Sequence, residues 1–243
     1  MTDFAIVLVE PEHPHNVGFV ARAMRANGLS DLRIVYVGKN AVMEESYRTA
    51  HHSGEILRAA KVVPALSEAV GDCSLSVAVS RRAFDSIINS LTLPELPGNL
   101  PAKGKTALVF GRESKGLLIQ EVESCAFTCE IPVPGNMSLN LAQAVSVVCY
   151  ELCRSGLLNG AGIIERTELK KEKKEFATLS EMQNFLAYVK AHLSERYRNQ
   201  PWTNASMAKL LQRLQPTRVE MGALFGLVRS LTGSFARKEK ESS

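Results

Sequence analysis

Short unbroken apolar runs alternate, over the first two thirds of the chain, with segments whose apolar residues recur every three or four positions. Residues 4–9 (FAIVLV), 32–37, 74–80, 106–110 (TALVF) and 127–133 read as strands. Their apolar residues are continuous rather than alternating, as in strands buried on both faces of a parallel sheet. Between them, Val17, Val20, Ala21 and Met24 give one helical stripe, with Asn16 placed to cap it and Asn27-Gly28 placed to end it. Residues 44–60 read as a polar helix, 64–70 and 117–125 as short helices, and 140–157 as a long apolar one. Pro94, Pro97 and Pro101 mark 84–104 as a loop. Strand–helix alternation of this kind predicts an α/β fold with a parallel sheet covered by helices.

The composition changes near residue 160. Residues 161–176 read as a linker, and helices are expected near 178–198, 204–214 and 217–232. The division predicted is therefore a domain over 1–160, the linker, and a helical extension over 177–243.

Charge sharpens this division. The chain carries a net charge of +4, but residues 1–160 hold 14 Lys and Arg against 16 Asp and Glu, while residues 161–243 hold 15 against 9. A basic segment on a near-neutral body points to a polyanionic partner, or to a solvated helix face. No apolar segment approaches the length of a membrane span. The first residues show no basic start and no small-residue cleavage site, so the expectation is a soluble, cytoplasmic protein without a membrane partner. The spacing of Cys125, Cys129, Cys149 and Cys153 superficially resembles a zinc pattern, but two of them sit in the apolar helix and no chelating turn surrounds the others. Reduced thiols and no metal are expected. His13, His15, His51 and His52 read as solvated loop or helix-surface residues, and Tyr197 and Trp202 as packing within the tail rather than as stacking platforms.

In open parallel sheets, ligands lie beyond the carboxyl ends of the strands. Three such ends carry distinctive loops. After the first strand comes N-x-G-x-x-x-R, Asn16, Gly18 and Arg22, in which Gly18 permits close approach of a backbone or ligand. After residue 110 comes Gly111-Arg112-Glu113. Gly111 and Gly116 have phosphate-loop spacing, but Leu117 and Leu118 replace the Lys-Ser/Thr, which disfavours NTP hydrolysis. Before the apolar helix comes PGNMSLN, with Ser138 or Asn140 as its cap and free backbone N–H groups at its mouth. No G-x-G-x-x-G follows the first strand, which disfavours a dinucleotide site.

Each loop alone is weak, but together the three resemble the signature motifs of the SPOUT superfamily of RNA methyltransferases, in its TrmH-like 2′-O-methylating branch. The motifs are Asn16, Gly18 and Arg22; Gly111, Arg112 and Glu113; and Ser138, Leu139 and Asn140. The resemblance covers residues 4–157 and extends more faintly into the helical tail. It implies a parallel sheet whose C-terminal part forms a trefoil knot, against the rule that chains are unknotted. It implies S-adenosylmethionine as cofactor, held by Val79, Ser80, Arg81, Gly111, Ile131, Met137, Ser138 and Leu139. Arg81 and Arg82 depart from the smaller residues usual there. The catalytic set implied is Arg22, Asn16, Glu113, Ser138 and Asn140. In it Arg22 acts either as proton acceptor or as a grip on the neighbouring phosphate, Ser138 and Asn140 orient the nucleotide, and Glu113 orients an arginine. The implied partners are tRNA and a second copy of the chain, the site combining loops from both. The implied reaction is 2′-O-methylation of a pyrimidine at position 32 of the anticodon loop. Another tRNA position, ribosomal RNA, or a non-catalytic RNA-binding role are the alternatives.

Overall fold

The computed structural model describes residues 2–38, 41–81, 89–135, 137–158, 175–193 and 201–241, the side chains of Thr2, 201–205 and 232–241 excepted. Arg82, Asn136, most of the expected linker and Tyr197 lie outside the described residues, as does the side chain of Trp202.

Seven strands form one sheet in the order β3-β2-β1-β6-β4-β7-β5, and all six pairings are parallel. They are β1 (Thr2–Val9), β2 (Asp31–Val35), β3 (Lys61–Val63), β4 (Leu75–Val79), β5 (Ser90–Thr92), β6 (Gly104–Phe110) and β7 (Phe127–Glu130). The parallel α/β architecture expected from the continuous apolar runs is thus found. The register aligns Leu8 with Phe110, Phe110 with Val79, and Val79 with Cys129, so four neighbouring strands end at one level.

The helices are α1 (Pro14–Ala26), α2 (Glu44–Ala50), α3 (Gly54–Ala59), α4 (Leu66–Val70), α5 (Leu96–Asn99), α6 (Ile119–Glu123), α7 (Leu141–Arg154), α8 (Leu179–His192), α9 (Pro201–Leu214) and α10 (Arg218–Glu241). One sheet face, through Ile6, Leu8, Leu108 and Val77, packs on Val17, Val20 and Met24 of α1 and on Val145, Val148 and Leu152 of α7. The opposite face, through Val7, Val109 and Ala78, packs on α4 and α6 and on Leu179, Met182, Phe185, Leu211 and Met221 of the helical tail. Each of these Val, Leu, Ile, Phe and Met side chains contributes roughly 1.5–3 kcal/mol by leaving water. The tail also bonds to the sheet layer. Leu179 N donates to Cys73 O (2.6 Å), and Gln212 accepts from Ser76 Oγ (3.1 Å) while donating to Ser124 O (3.2 Å).

Several boundaries differ from the sequence reading. The helix expected over 44–60 is broken by a 3₁₀ turn at His51–Ser53, and its end gives way to β3. The proline-marked loop contains β5, a three-residue edge strand. β7 stops at Glu130 because Pro132, which has no N–H, cannot continue the ladder. Asn16 does not cap α1: the helix starts at Pro14, with His13 at the cap position and no side-chain cap bond. Asn27 and Gly28, at φ 77°, do end it.

Candidate active site

The aligned ends of β4, β6 and β7 and the entry to α7 surround a cleft of about 270 Å³. All eight residues implied to hold the cofactor line it: Val79, Ser80, Arg81, Gly111, Ile131, Met137, Ser138 and Leu139. Phe110, Lys115, Val133, Leu141 and Ala144 line it too and were not anticipated. Position signalled three of them, since Phe110 and Leu141 adjoin motif residues and Ala144 lies one helical turn into α7; nothing in the sequence marked Lys115 or Val133.

The loop after β6 folds back on itself. Arg112 and Gly116 exchange backbone bonds (N···O 3.2 and 2.9 Å), and Gly116 takes φ 67°. A Cβ at Gly111 would lie 2.2 Å from Gly116 C and 2.3 Å from Leu117 N, so only glycine allows this closure. Arg112 is a strut. Its guanidinium binds Glu121 through two nitrogens (3.1 Å each) and Glu10 (2.8 Å), tying the end of β1 to α6. The bonds to Glu121, then to Glu10, raise its pKa further above the solvent value.

Glu113, expected to orient an arginine, makes no hydrogen bond or ion pair with one among the described residues. Its carboxylate accepts from Glu12 N (2.7 Å), His13 N (3.3 Å) and Asn16 Nδ2 (2.9 Å), an anion set at the N-terminus of α1. Glu12 answers across the same seam, accepting from Ser114 N (3.0 Å) and from the Ser114 hydroxyl, which holds its carboxyl below the usual range. Asn16, buried, accepts from Asn140 Nδ2 (3.2 Å), and Asn140 Oδ1 caps α7 by accepting from Ala142 N (2.9 Å). Gln143 returns to Asn140 N (3.1 Å) and completes the box. Residues from the three motifs, far apart in sequence, therefore form one hydrogen-bonded chain from Glu113 through Asn16 to Asn140.

Ser138 is exposed in the cleft, and its hydroxyl makes no hydrogen bond among the described residues. Gly18 serves packing, not a ligand: a Cβ there would lie 2.1 Å from both Ser46 O and Thr49 Oγ1 of α2. Arg22 does not line the cleft. It is exposed on α1, in a separate concavity with Arg25, His51 and His52, and has no ion pair among the described residues. Burial pushes the thiols of Cys125, Cys129 and Cys149 up to about 12, and no described cluster of His, Cys, Asp or Glu is arranged to hold a metal ion.

Sheet order and cleft define a parallel α/β protein with a ligand-sized cleft over the carboxyl ends of three adjacent strands. The chain belongs to the SpoU rRNA methylase family, whose model matches residues 3–150. A Pseudomonas aeruginosa protein named tRNA (cytidine/uridine/adenosine-2′-O-)-methyltransferase TrmJ is 33% identical over 241 residues, 92% of this chain and 91% of its own. The crystal structure of TrmJ from Z. mobilis ZM4 superposes with a TM-score of 0.73 at 26% identity, covering 93% of this chain and 98% of that one. A structure described as giving insight into the 2-OH methylation of C/U34 on tRNA superposes at 0.52 with 28% identity, covering 63% of this chain and 96% of that one. The family assignment read from the three motifs is thereby borne out.

Proposed function

We propose that this RNA methylase transfers a methyl group from S-adenosylmethionine to the ribose 2′-hydroxyl of a pyrimidine at position 32 in the tRNA anticodon loop. The observation that carries the reading is the cleft, where the implied cofactor residues meet and which the hydrogen-bonded motifs hold in shape. Its volume lies near the lower end of small-molecule pockets, about 300–1,000 Å³. Its lining suits the cofactor: Phe110, Leu117, Ile131 and Leu139 offer apolar contact, and the tight 111–116 loop and the exposed mouth of α7 offer backbone groups. When bound, S-adenosylmethionine supplies a methyl group on a cationic sulfonium that departs as a neutral thioether as the new C–O bond forms.

The protein's contribution is alignment and electrostatics. The Glu113–Asn16–Asn140 chain fixes the loop after β6 against the caps of α1 and α7. Ser138, exposed and without a hydrogen bond among the described residues, orients the nucleotide at the mouth. Arg22 lies outside the cleft of its own chain, which fits a site completed by a second copy. Phe19 of α1 and Val147 and Tyr150 of α7, exposed at 43%, 39% and 62%, offer that copy an apolar face. A guanidinium stays protonated and offers no lone pair to accept a proton, so it cannot serve as the base. Arg22 instead stabilises the developing alkoxide, and the proton passes to water. The reading carries with it the trefoil knot and a cytoplasmic location. Relatives matched along the whole chain, tail included, are named for tRNA, which favours tRNA over ribosomal RNA.

The test is incubation with methyl-labelled S-adenosylmethionine and unmodified total tRNA, followed by mapping of the labelled nucleoside. A 2′-O-methylpyrimidine at position 32 is expected. Label at position 34 or in ribosomal RNA would move the substrate, and no label in any RNA would overturn the reaction.

A further inference from the structure

The concavity beside Arg22 is built as a bowl. The buried Ala50 and Ser53 form its floor, and the exposed Arg22, Arg25, Ala26, His51 and His52 form the rim of a space of about 460 Å³. Arg25 is paired with Glu55 on α3, so its charge is partly matched, whereas Arg22 has no ion pair among the described residues. Neither imidazole makes a hydrogen bond among the described residues, which leaves ring nitrogens available to an acceptor. The sequence reading left these two histidines to solvent; the fold puts them opposite the motif-one arginine.

The backbone supplies a second observation. His51 has φ 48° and ψ −120°, a conformation that glycine adopts freely and L-residues rarely do. It sits at the break between α2 and the 3₁₀ turn, and its side chain is exposed. Glycine would serve the turn with less strain, so the ring is held there at a cost to stability. Strain of this kind concentrates where a side chain must be presented to a ligand.

We infer that this bowl seats the phosphodiester on the 3′ side of the target ribose, with His51, His52 and Arg25 as positioning residues beside Arg22. The inference rests on the RNA methylation proposed above and adds how the RNA backbone is registered. That phosphate is attached next to the 2′-hydroxyl, so gripping it sets the attacking oxygen in place while Arg22 faces it. A phosphate suits the rim because guanidinium and imidazole N–H groups all donate and none of the floor atoms carries charge.

The test compares His51→Gly and His52→Ala with the wild type in the full chain, using an unmodified tRNA transcript. His51→Gly is expected to raise Tm by about 2–6 °C. Both variants are expected to raise KM for tRNA about 3–10-fold, with a smaller change in kcat and unchanged affinity for S-adenosylmethionine. The slope of log affinity against log salt should shrink by roughly 0.7–0.9 for a lost phosphate contact. Wild-type KM and salt slope in either variant overturn the assignment, and so does a lower Tm for His51→Gly, which would show the ring to be a structural contact. The wild type separates the two readings. If it methylates no RNA, the reaction proposed above fails; if it methylates RNA and the variants match it, only the bowl fails.

Discussion

Asn16, Glu113 and Asn140 show how a motif can be legible while its work is not. The sequence marks these residues through their place in the three loops, and Asn16 reads as a helix cap because Asn favours that position. Its true partners lie 97 and 124 residues away, a distance no local pattern encodes. Glu113→Ala removes the acceptor for two backbone N–H groups and one amide. We expect a loss of about 1–3 kcal/mol in urea unfolding and a larger proportional loss of methyl transfer, as the caps of α1 and α7 drift apart. Gly111→Ala places a Cβ against the Gly116 backbone, where nothing flexible can yield. The 111–116 loop must open, and isothermal titration should show affinity for S-adenosylmethionine reduced at least tenfold, by roughly 1.4 kcal/mol, with the fold retained by circular dichroism.

Elements were legible in proportion to their length and burial. β1 and β6 declare themselves as apolar runs, whereas β3 and β5 have three residues each at the sheet edges, too few for periodicity to register. The true start of α1 was signalled by Pro14, which favours the first helical turn, but the capping preference of Asn16 competed with it. At the amino ends of the strands, opposite the cleft, Arg33 is buried and binds Asp31 (2.7 Å) and Asp72, with Lys105 bridging both carboxylates (2.8 and 3.4 Å). Nothing in the spacing of these four residues announces the cluster. The hydrogen bond from Arg33 holds the Asp72 carboxyl well below its ordinary range. For Asp31, burial pushes upward, but the bonds from Arg33 and Lys105 outweigh it. Groups depressed in the folded state stabilise fully above their unfolded pKa, about 4, and lose that contribution as pH falls below it. Because Asp31 and Asp72 are partly exposed and keep Lys105, Arg33→Leu should cost about 1–3 kcal/mol near neutral pH, with the gap to the wild type narrowing in urea titrations below pH 4.

At the scale of the molecule, the sequence and its charge distribution separate a body from a basic tail. It gave no sign that Leu179, Met182, Phe185, Leu211 and Met221 would share one core with Val7, Ala78 and Val109, because strands buried on both faces do not say what buries them. A chain ending at residue 158 should expose that face and elute as aggregate in size-exclusion chromatography. The proposed dimer gives a second expectation. At S-adenosylmethionine concentrations too low to occupy the Gly111→Ala cleft, Arg22→Ala and Gly111→Ala chains should each be nearly inactive alone and regain about a quarter of wild-type activity when co-refolded in equal amounts, because half the dimers are mixed and each mixed dimer keeps one intact site.

The shared core also bears on how the chain is made. Synthesis proceeds from the N-terminus at about 5–20 residues per second, and the sheet residues are all present by Glu130. Leu211 and Met221 follow some eighty to ninety residues later. For the seconds between, the nascent sheet carries an apolar face that α4 and α6 cover only in part, a window in which a chaperone at the ribosome would decide the yield.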